Sequence, residues 1–373
     1  MKIAFLTRVD AFDKNGGDTY QIQMYKKYLE DDNHFVDIIT NLSVPDNYDN
    51  YIVVNLDRPL ELVIYYAELQ RRNLLDKTFV LTIHHDYQCI DFYEKKIRKG
   101  GMGIILSALN SHNKREKLKN IARAIKYPAL WPFSIKHLWL DYNLLSQKLL
   151  NESLGAFLIA EGEKEIICRD FVVSLVNHHL VKNGVDLIGD INSENNTRDI
   201  DVLICGRIEP RKNSLAIAEY FKNKPYKVVF AGGMNTNANS YCKQFSDVVA
   251  DSDNIKYLGR VPPESIPSLY LKSKVNLSAS WFEVASLVDL EAYAYGCHVI
   301  SSQNGHTKDY LGDKAIYIDP VDLSKLDTIL TMLIKKESVL NKQHEFIQAN
   351  YTWEKSTKSL LEGIYKLSGN KIG

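Results

Sequence analysis

The run Val275-Asn276-Leu277-Ser278-Ala279-Ser280-Trp281-Phe282-Glu283-Val284-Ala285-Ser286-Leu287-Val288-Asp289-Leu290-Glu291-Ala292-Tyr293-Ala294-Tyr295-Gly296 decides the fold. Its first residues predict a strand over Val275–Ala279, the apolar spacing from Leu287 to Tyr295 predicts a helix, and Gly296 stops that helix. Ser286 and Asp289 are spaced as a capping pair, which starts the helix at Leu287. Glu283 then falls in the loop at the helix mouth, and Glu291 about one turn inside. The unpaired N–H groups of a helix start, here those around Ser286 and Leu287, attract an anion such as a phosphate, and carboxylates beside it accept hydrogen bonds from sugar hydroxyls. A pair of solvated glutamates would show the same spacing, so the rest of the chain has to decide.

Strand-then-helix alternation continues in both directions. One series predicts strands at Lys2–Thr7, Phe35–Thr40, Tyr51–Leu56, Phe79–Ile83, Leu154–Ala160 and Val172–Asn177. A second predicts Asp201–Cys205, Lys227–Ala231, Ile255–Leu258, Val275–Ala279, His298–Ser301 and Ala315–Ile318. Such alternation means parallel sheets covered by helices, so the expected fold is α/β, two doubly wound Rossmann-like domains facing a cleft. The polar stretch Asp186–Asp199 reads as the linker. The domains therefore run 1–185 and 186–353, with a terminal helix over 354–373 packing back on the first.

Length and composition agree with two globular domains. The chain has 373 residues, 45% hydrophobic and 25% charged, values that exclude a disordered or fibrous protein. Its 46 basic and 46 acidic residues cancel, so a polyanionic partner has to be met by a local patch. No apolar run is long enough to span a bilayer, and Met1–Leu6 runs into Thr7-Arg8 without a signal-peptide core, so a cytoplasmic location is expected, with peripheral attachment to the inner face of a membrane as an extension. Five dispersed cysteines (Cys89, Cys168, Cys205, Cys242, Cys297) form no C-x-x-C pair and read as buried small apolar residues.

At the end of Asp201–Cys205 stands Gly206-Arg207-Ile208-Glu209-Pro210-Arg211-Lys212-Asn213. Gly206 allows close backbone approach, while Arg207 and Lys212 place two long cations where a diphosphate leaving group would lie, a role that needs no metal. The D-x-D strings Asp199-Ile200-Asp201 and Asp251-Ser252-Asp253 lie at a strand entrance and in a polar turn, and no metal is assigned to them.

Taken together, these segments resemble the retaining GT-B glycosyltransferases that carry a Glu-x(7)-Glu motif, of the family 4 type. The resemblance extends from Gly16-Gly17 and Thr82-Ile83-His84-His85-Asp86 through Lys182–Asp186, Gly206-Arg207 with Lys212, Ala231-Gly232-Gly233 and Tyr257-Leu258-Gly259 to Glu283 and Glu291. It implies a sugar moved from a nucleotide diphosphate-sugar to a glycan acceptor with retention, the leaving phosphate oxygen taking the acceptor proton. Arg207 and Lys212 would clamp the diphosphate, Glu283 the donor-sugar hydroxyls and Glu291 the ribose. No cofactor is implied beyond the donor itself. The Gly-Phe-Gly usual after the first glutamate is replaced here by Val284-Ala285-Ser286.

In the first domain Asp18 with Gln21 is spaced to cap a helix, leaving Gly17 to let a ligand near the backbone. His84 and His85 end a strand, so only one of them enters the cleft. The Thr-x-His pattern of the resemblance favours His84, and alignment on His-Asp favours His85. Residues 94–137 hold eleven basic and two acidic side chains, a net charge of +9, and include Trp131 and Phe133, with Trp139 just beyond. Such a segment suits an anionic membrane surface bearing a lipid-linked or lipopolysaccharide acceptor, or a nucleic acid; a solvated helical pair with its aromatics in the core is the plainer alternative.

Three rival functions share these features. A nucleotide-sugar epimerase would alter the donor without an acceptor. A DNA-modifying glycosyltransferase would bind duplex in a salt-sensitive way. A non-catalytic nucleotide-sugar-binding protein would hold donor without turnover.

Overall fold

The computed structural model describes the chain apart from residues 15, 99, 189–190, 192–196, 237 and 370–373, and apart from the side chain of 102. Met1–Gly184 with Trp353–Gly373 makes one compact unit and Val185–Thr352 the other. Part of the expected 186–199 linker lies outside the described residues.

The first unit holds six parallel strands: β1 (Lys2–Leu6), β2 (Phe35–Ile39), β3 (Asn50–Val54), β4 (Thr78–Leu81), β5 (Gly155–Leu158) and β6 (His178–Leu180), ordered β2-β1-β3-β4-β5-β6. Every residue of β3, β4 and β5 is buried, as parallel strands covered on both faces require. Leu6 pairs with Ile39 on one side and Val53 on the other.

The sixth strand differs from its expected place. Val172 ends the Glu163–Phe171 helix in a left-handed conformation at φ 55°, so the run 172–177 becomes a connection and the strand begins at His178. Val172 and Val176 are 78% and 81% exposed, while Val173 and Leu175 turn inward, an alternation that mimics a strand without ladder bonds.

The helix Trp353–Leu367 belongs to this first unit. Trp353 is fully buried and meets Tyr20 and Tyr25 edge-on at 5.8 Å each, and Tyr25 Oη lies 3.2 Å from Ser356 Oγ.

In the second unit β7 (Ile200–Cys205), β8 (Val228–Ala231), β9 (Ile255–Tyr257), β10 (Ser273–Leu277), β11 (His298–Ser302) and β12 (Ala315–Ile318) form a parallel sheet ordered β12-β11-β10-β7-β8-β9. The order reverses between β7 and β10, and in the first unit between β1 and β3. In doubly wound sheets the carboxyl ends of the strands at such a reversal form the ligand crevice. Of the cysteines, Cys205, Cys242 and Cys297 are buried, whereas Cys89 and Cys168 are only half-buried, and all five are thiols.

Candidate functional site

Two segments that lie 71 residues apart meet at the β7/β10 reversal. After β7 the chain passes Gly206 at φ 143° and Gly232, after β8, stands at φ 150°. A Cβ on Gly232 would fall 2.0 Å from the Gly206 carbonyl oxygen, so glycine is required there for two strand ends to approach. The Lys212 side chain folds back over Gly206, and Cys205, Gly206, Arg207, Lys212, Ser278 and Ser280 line a small recess between the two strand ends.

Beyond β10, the loop 281–286 is tied to the turn at Pro210–Lys212. Trp281 N donates to the Arg211 carbonyl at 2.9 Å, and Arg211 Nη1 reaches the Phe282 carbonyl at 3.2 Å and Glu283 Oε1 at 3.0 Å. The Lys212 ammonium pairs with the same Glu283 oxygen. Arg211 also lies 3.2 Å from Glu209, so it bridges two carboxylates. Arg207, by contrast, is 44% exposed and only 4.0 Å from Glu209. Thus Gly206, Arg207, Lys212 and Glu283 come together, and Arg211, which sequence reading quoted but gave no role, holds Glu283. Its adjacency to Lys212 in one short turn was the available signal.

The loop is fixed from its other side by residues 304–307. Glu283 N donates to the Asn304 carbonyl at 2.9 Å, Asn304 Nδ2 to the Trp281 carbonyl at 3.0 Å, and His306 N to the Val284 carbonyl at 2.7 Å. None of Val284, Ala285 or Ser286 has a positive φ, so this backbone path takes side chains without strain.

The helix Leu287–Ala294 starts after Ser286, but the capping pair does not form. Asp289 is fully buried and turns to the sheet instead: it accepts from Ser301 Oγ at 2.6 Å, from Asn276 Nδ2 at 3.0 Å and from Thr307 Oγ1 at 3.4 Å. Burial pushes its carboxyl up to about 6 against the pull of the Ser301 and Ser278 hydroxyls. Thr307 Oγ1 in turn receives Ser286 N at 3.4 Å, which connects Asp289 to the helix start. The Ser286 hydroxyl is buried with no hydrogen-bond partner among the described residues. Glu291 sits one turn on, where it accepts from Tyr270 Oη at 3.0 Å, and burial raises it to about 7.

The first unit gathers its ionisable groups at the carboxyl ends of β1, β3 and β4. Arg8 pairs with Asp10 and Asp18 at 2.8 Å each, and Arg58 with Asp10 at 2.9 Å and with Glu61. Asp18 is therefore drawn to Arg8 rather than capping. The helix begins at Gly17 with Gly16 before it and no side-chain cap, and Gln21 bonds Tyr25 at 2.8 Å. Ile83 stands at φ 41°, a conformation disfavoured for a β-branched residue, immediately before His84 and His85. His84 is fully buried: Nδ1 lies 2.9 Å from Asp57 and Nε2 2.9 Å from Asp170, so it faces carboxylates on both edges rather than an open crevice. Burial alone would lower its pKa, but the bonds to Asp170 and Asp57 outweigh it and hold it at about 9. His85, with 21% of its side chain exposed, is the more accessible of the two, and its Nδ1 also pairs with Asp57. Asp57, Arg58 and Asp170 carried no recognisable spacing in the sequence.

The 94–139 segment spends much of its charge internally. Arg115 is fully buried against Glu94 at 2.8 Å, Lys119 pairs with Glu116 at 2.7 Å, and Arg123 lies 3.4 Å from Glu116. Leu130 is buried and Phe133 partly buried against the core, whereas Trp139 is 91% exposed. Among the described residues no helix is long and apolar enough to cross a membrane, and no group of three or more His, Cys, Asp or Glu side chains converges to hold a metal ion.

Residues 190–353 match the family model described as Glycosyl transferases group 1. The matched stretch is nearly all of the second unit. It contains the whole Gly206, Lys212 and Glu283 cluster. Over 174 residues the chain is 25% identical to an O-antigen chain mannosyltransferase B of Escherichia coli, a match covering 44% of this chain and 45% of that one, so it spans less than half the relative's length. Solved structures similar to both units include sucrose-phosphate synthase of Thermosynechococcus elongatus, with TM-score 0.72, 13% identity and 99% of each chain covered. Another is HepE of Anabaena in complex with UDP, with TM-score 0.67, 14% identity and coverage of 98% of this chain and 100% of that one. At such identities these structures establish the fold alone, which is GT-B.

Proposed function

We propose that this protein is a metal-independent, retaining glycosyltransferase that uses a nucleotide diphosphate-sugar to extend a cell-surface polysaccharide or lipopolysaccharide. The observation that carries this reading is the convergence of Lys212 and Arg211 on Glu283 beside Gly206, at the reversal point of the sheet, within the stretch that matches the group 1 model. There a diphosphate meets the ammonium of Lys212, the guanidinium of Arg207 and the unpaired Ser286 hydroxyl at the helix start. As the bond from the anomeric carbon to the phosphate oxygen breaks, the acceptor oxygen bonds to that carbon from the same face and its proton passes to the departing phosphate. The cations stabilise the charge left on the diphosphate. Glu283 accepts from donor-sugar hydroxyls, and Glu291 from the ribose.

The UDP bound by HepE and the O-antigen chemistry in the name of the Escherichia coli relative support the donor and acceptor classes. An anionic membrane surface is where a lipid-linked acceptor would be met. The test is transfer from a panel of nucleotide sugars by wild type, Glu283→Ala and Lys212→Ala. Loss of about a hundredfold or more in both variants is expected, and unchanged rates would remove both assignments.

A further inference from the structure

The helical segment between β4 and β5 divides its apolar residues between two faces. Ala124 and Leu130 are fully buried, whereas Ile125, Trp131, Ile135 and Trp139 are 71%, 38%, 60% and 91% exposed. Trp131 and Ile135 stand four apart on the helix Trp131–Lys136 and so share a face, and tight turns carry the chain on to Trp139. Lys126 and Lys136 are exposed within the same stretch. From Lys117 to Leu140 the sequence contains no aspartate or glutamate, while Glu116 just before it is buried and occupied by Lys119 and Arg123. Isolated apolar residues on a surface need no explanation, but two tryptophans and two isoleucines interleaved with lysines do, in a stretch whose nearest acidic residue along the chain is Asp141, the cap of the next helix. Tryptophan partitions to the headgroup level of a bilayer, and lysines beside it are attracted to anionic lipids.

We propose that residues 125–140 form a membrane-docking face, with Trp131, Ile135 and Trp139 entering the headgroup region of an anionic bilayer and Lys126 and Lys136 contacting its acidic lipids. The proposal rests on the transferase reading only for its purpose, bringing the enzyme to a lipid-borne acceptor. It also reassigns the basic segment: Arg115, Lys119 and Arg123 are held by internal carboxylates, so attachment comes from apolar insertion assisted by two lysines rather than from the gross charge of +9. Added salt then weakens binding modestly, unlike the steep loss expected of a nucleic-acid site.

The experiment is co-sedimentation of the full chain with vesicles of phosphatidylcholine mixed with phosphatidylglycerol, and with phosphatidylcholine alone. Binding is expected to the mixed vesicles, weaker by about fivefold for each lysine neutralised in Lys126→Gln and Lys136→Gln and by about tenfold in Trp139→Ala. Failure to bind either vesicle, or wild-type binding by Trp139→Ala, would overturn the proposal. So would a dimer in light scattering that Trp139→Ala dissolves, because a second copy would then be what covers the face. Thermal shift with a nucleoside diphosphate, run on the same samples, keeps the two readings apart. Nucleotide binding without vesicle binding sinks only the docking face, and vesicle binding without nucleotide binding strikes only at the donor site.

Discussion

Nη1 of Arg211 lies 3.0 Å from Oε1 of Glu283, the same oxygen that the Lys212 ammonium holds. One carboxylate oxygen therefore joins the turn after β7 to the loop after β10. Arg211→Lys keeps the charge but cannot reach Glu209, the Phe282 carbonyl and Glu283 at once. We expect about a tenfold or greater fall in kcat/KM for transfer with little change in melting temperature. Steady-state kinetics check this, and full activity would show that Glu283 is positioned without the fork.

Asp289 makes stability depend on pH with a definite sign. Its carboxyl moves from an ordinary 3.8 to about 6 on folding, so between those values the native state binds the proton more tightly. Stability is greatest below about pH 4 as far as this group is concerned, and falls by roughly 3 kcal/mol as pH rises through 6. Asp289→Asn should remove that slope. Glu291 adds a similar slope from 4.5 to about 7, which Glu291→Gln isolates. Urea unfolding across this range reads both; an unaltered slope in Asp289→Asn would mean another group titrates.

His84 gives a slope in a higher window. Raised from 6.5 to about 9, it contributes stability that is fully present below 6.5 and lost as pH climbs through 9, about 3 kcal/mol in all. His84→Gln removes the cation between Asp57 and Asp170, leaving them His85 and Arg169 as partners, and should cost about 3 kcal/mol at neutral pH. Thermal and denaturant melts at several pH values decide. A variant of normal stability that has lost transfer would place His84 in the chemistry instead.

Gly232 and Gly259 should respond differently to alanine. At Gly232 the new Cβ would be 2.0 Å from a backbone oxygen, whereas at Gly259, φ 71°, it meets nothing within 4 Å. Gly259→Ala then costs about 1 kcal/mol from backbone conformation alone, and Gly232→Ala more than about 2 kcal/mol, with a weaker affinity for a nucleoside diphosphate because Gly206 has to move. Melting curves and calorimetric titration of the two variants provide the comparison.

Much of this was readable along the chain. Strand and helix periods placed eleven of the twelve strands among the described residues within two residues at each end, because parallel strands buried on both faces leave near-continuous apolar runs. Val172–Asn177 misled because inward Val173 and Leu175 alternate with solvent-facing neighbours in a loop as they would in a strand. Ser286 and Asp289 had the spacing of a cap, but the carboxylate found two donors in the sheet beneath it, Asn276 and Ser301, and a third in Thr307 beyond β11.

The amino-acid sequence by itself determined the two parallel sheets, the glycine after β7, and the loop on which Glu283 stands, since all of these follow from local periodicity and backbone permission. Tertiary structure alone decided that Arg211 and Lys212 share one oxygen of Glu283, that Asp57 and Asp170 enclose His84, and that Trp139 faces outward while Leu130 does not. Those outcomes depend on which distant segments a low-dielectric interior brings together. A charge that leaves water pairs with whatever opposite charge the fold delivers, and no spacing along the chain encodes that partner.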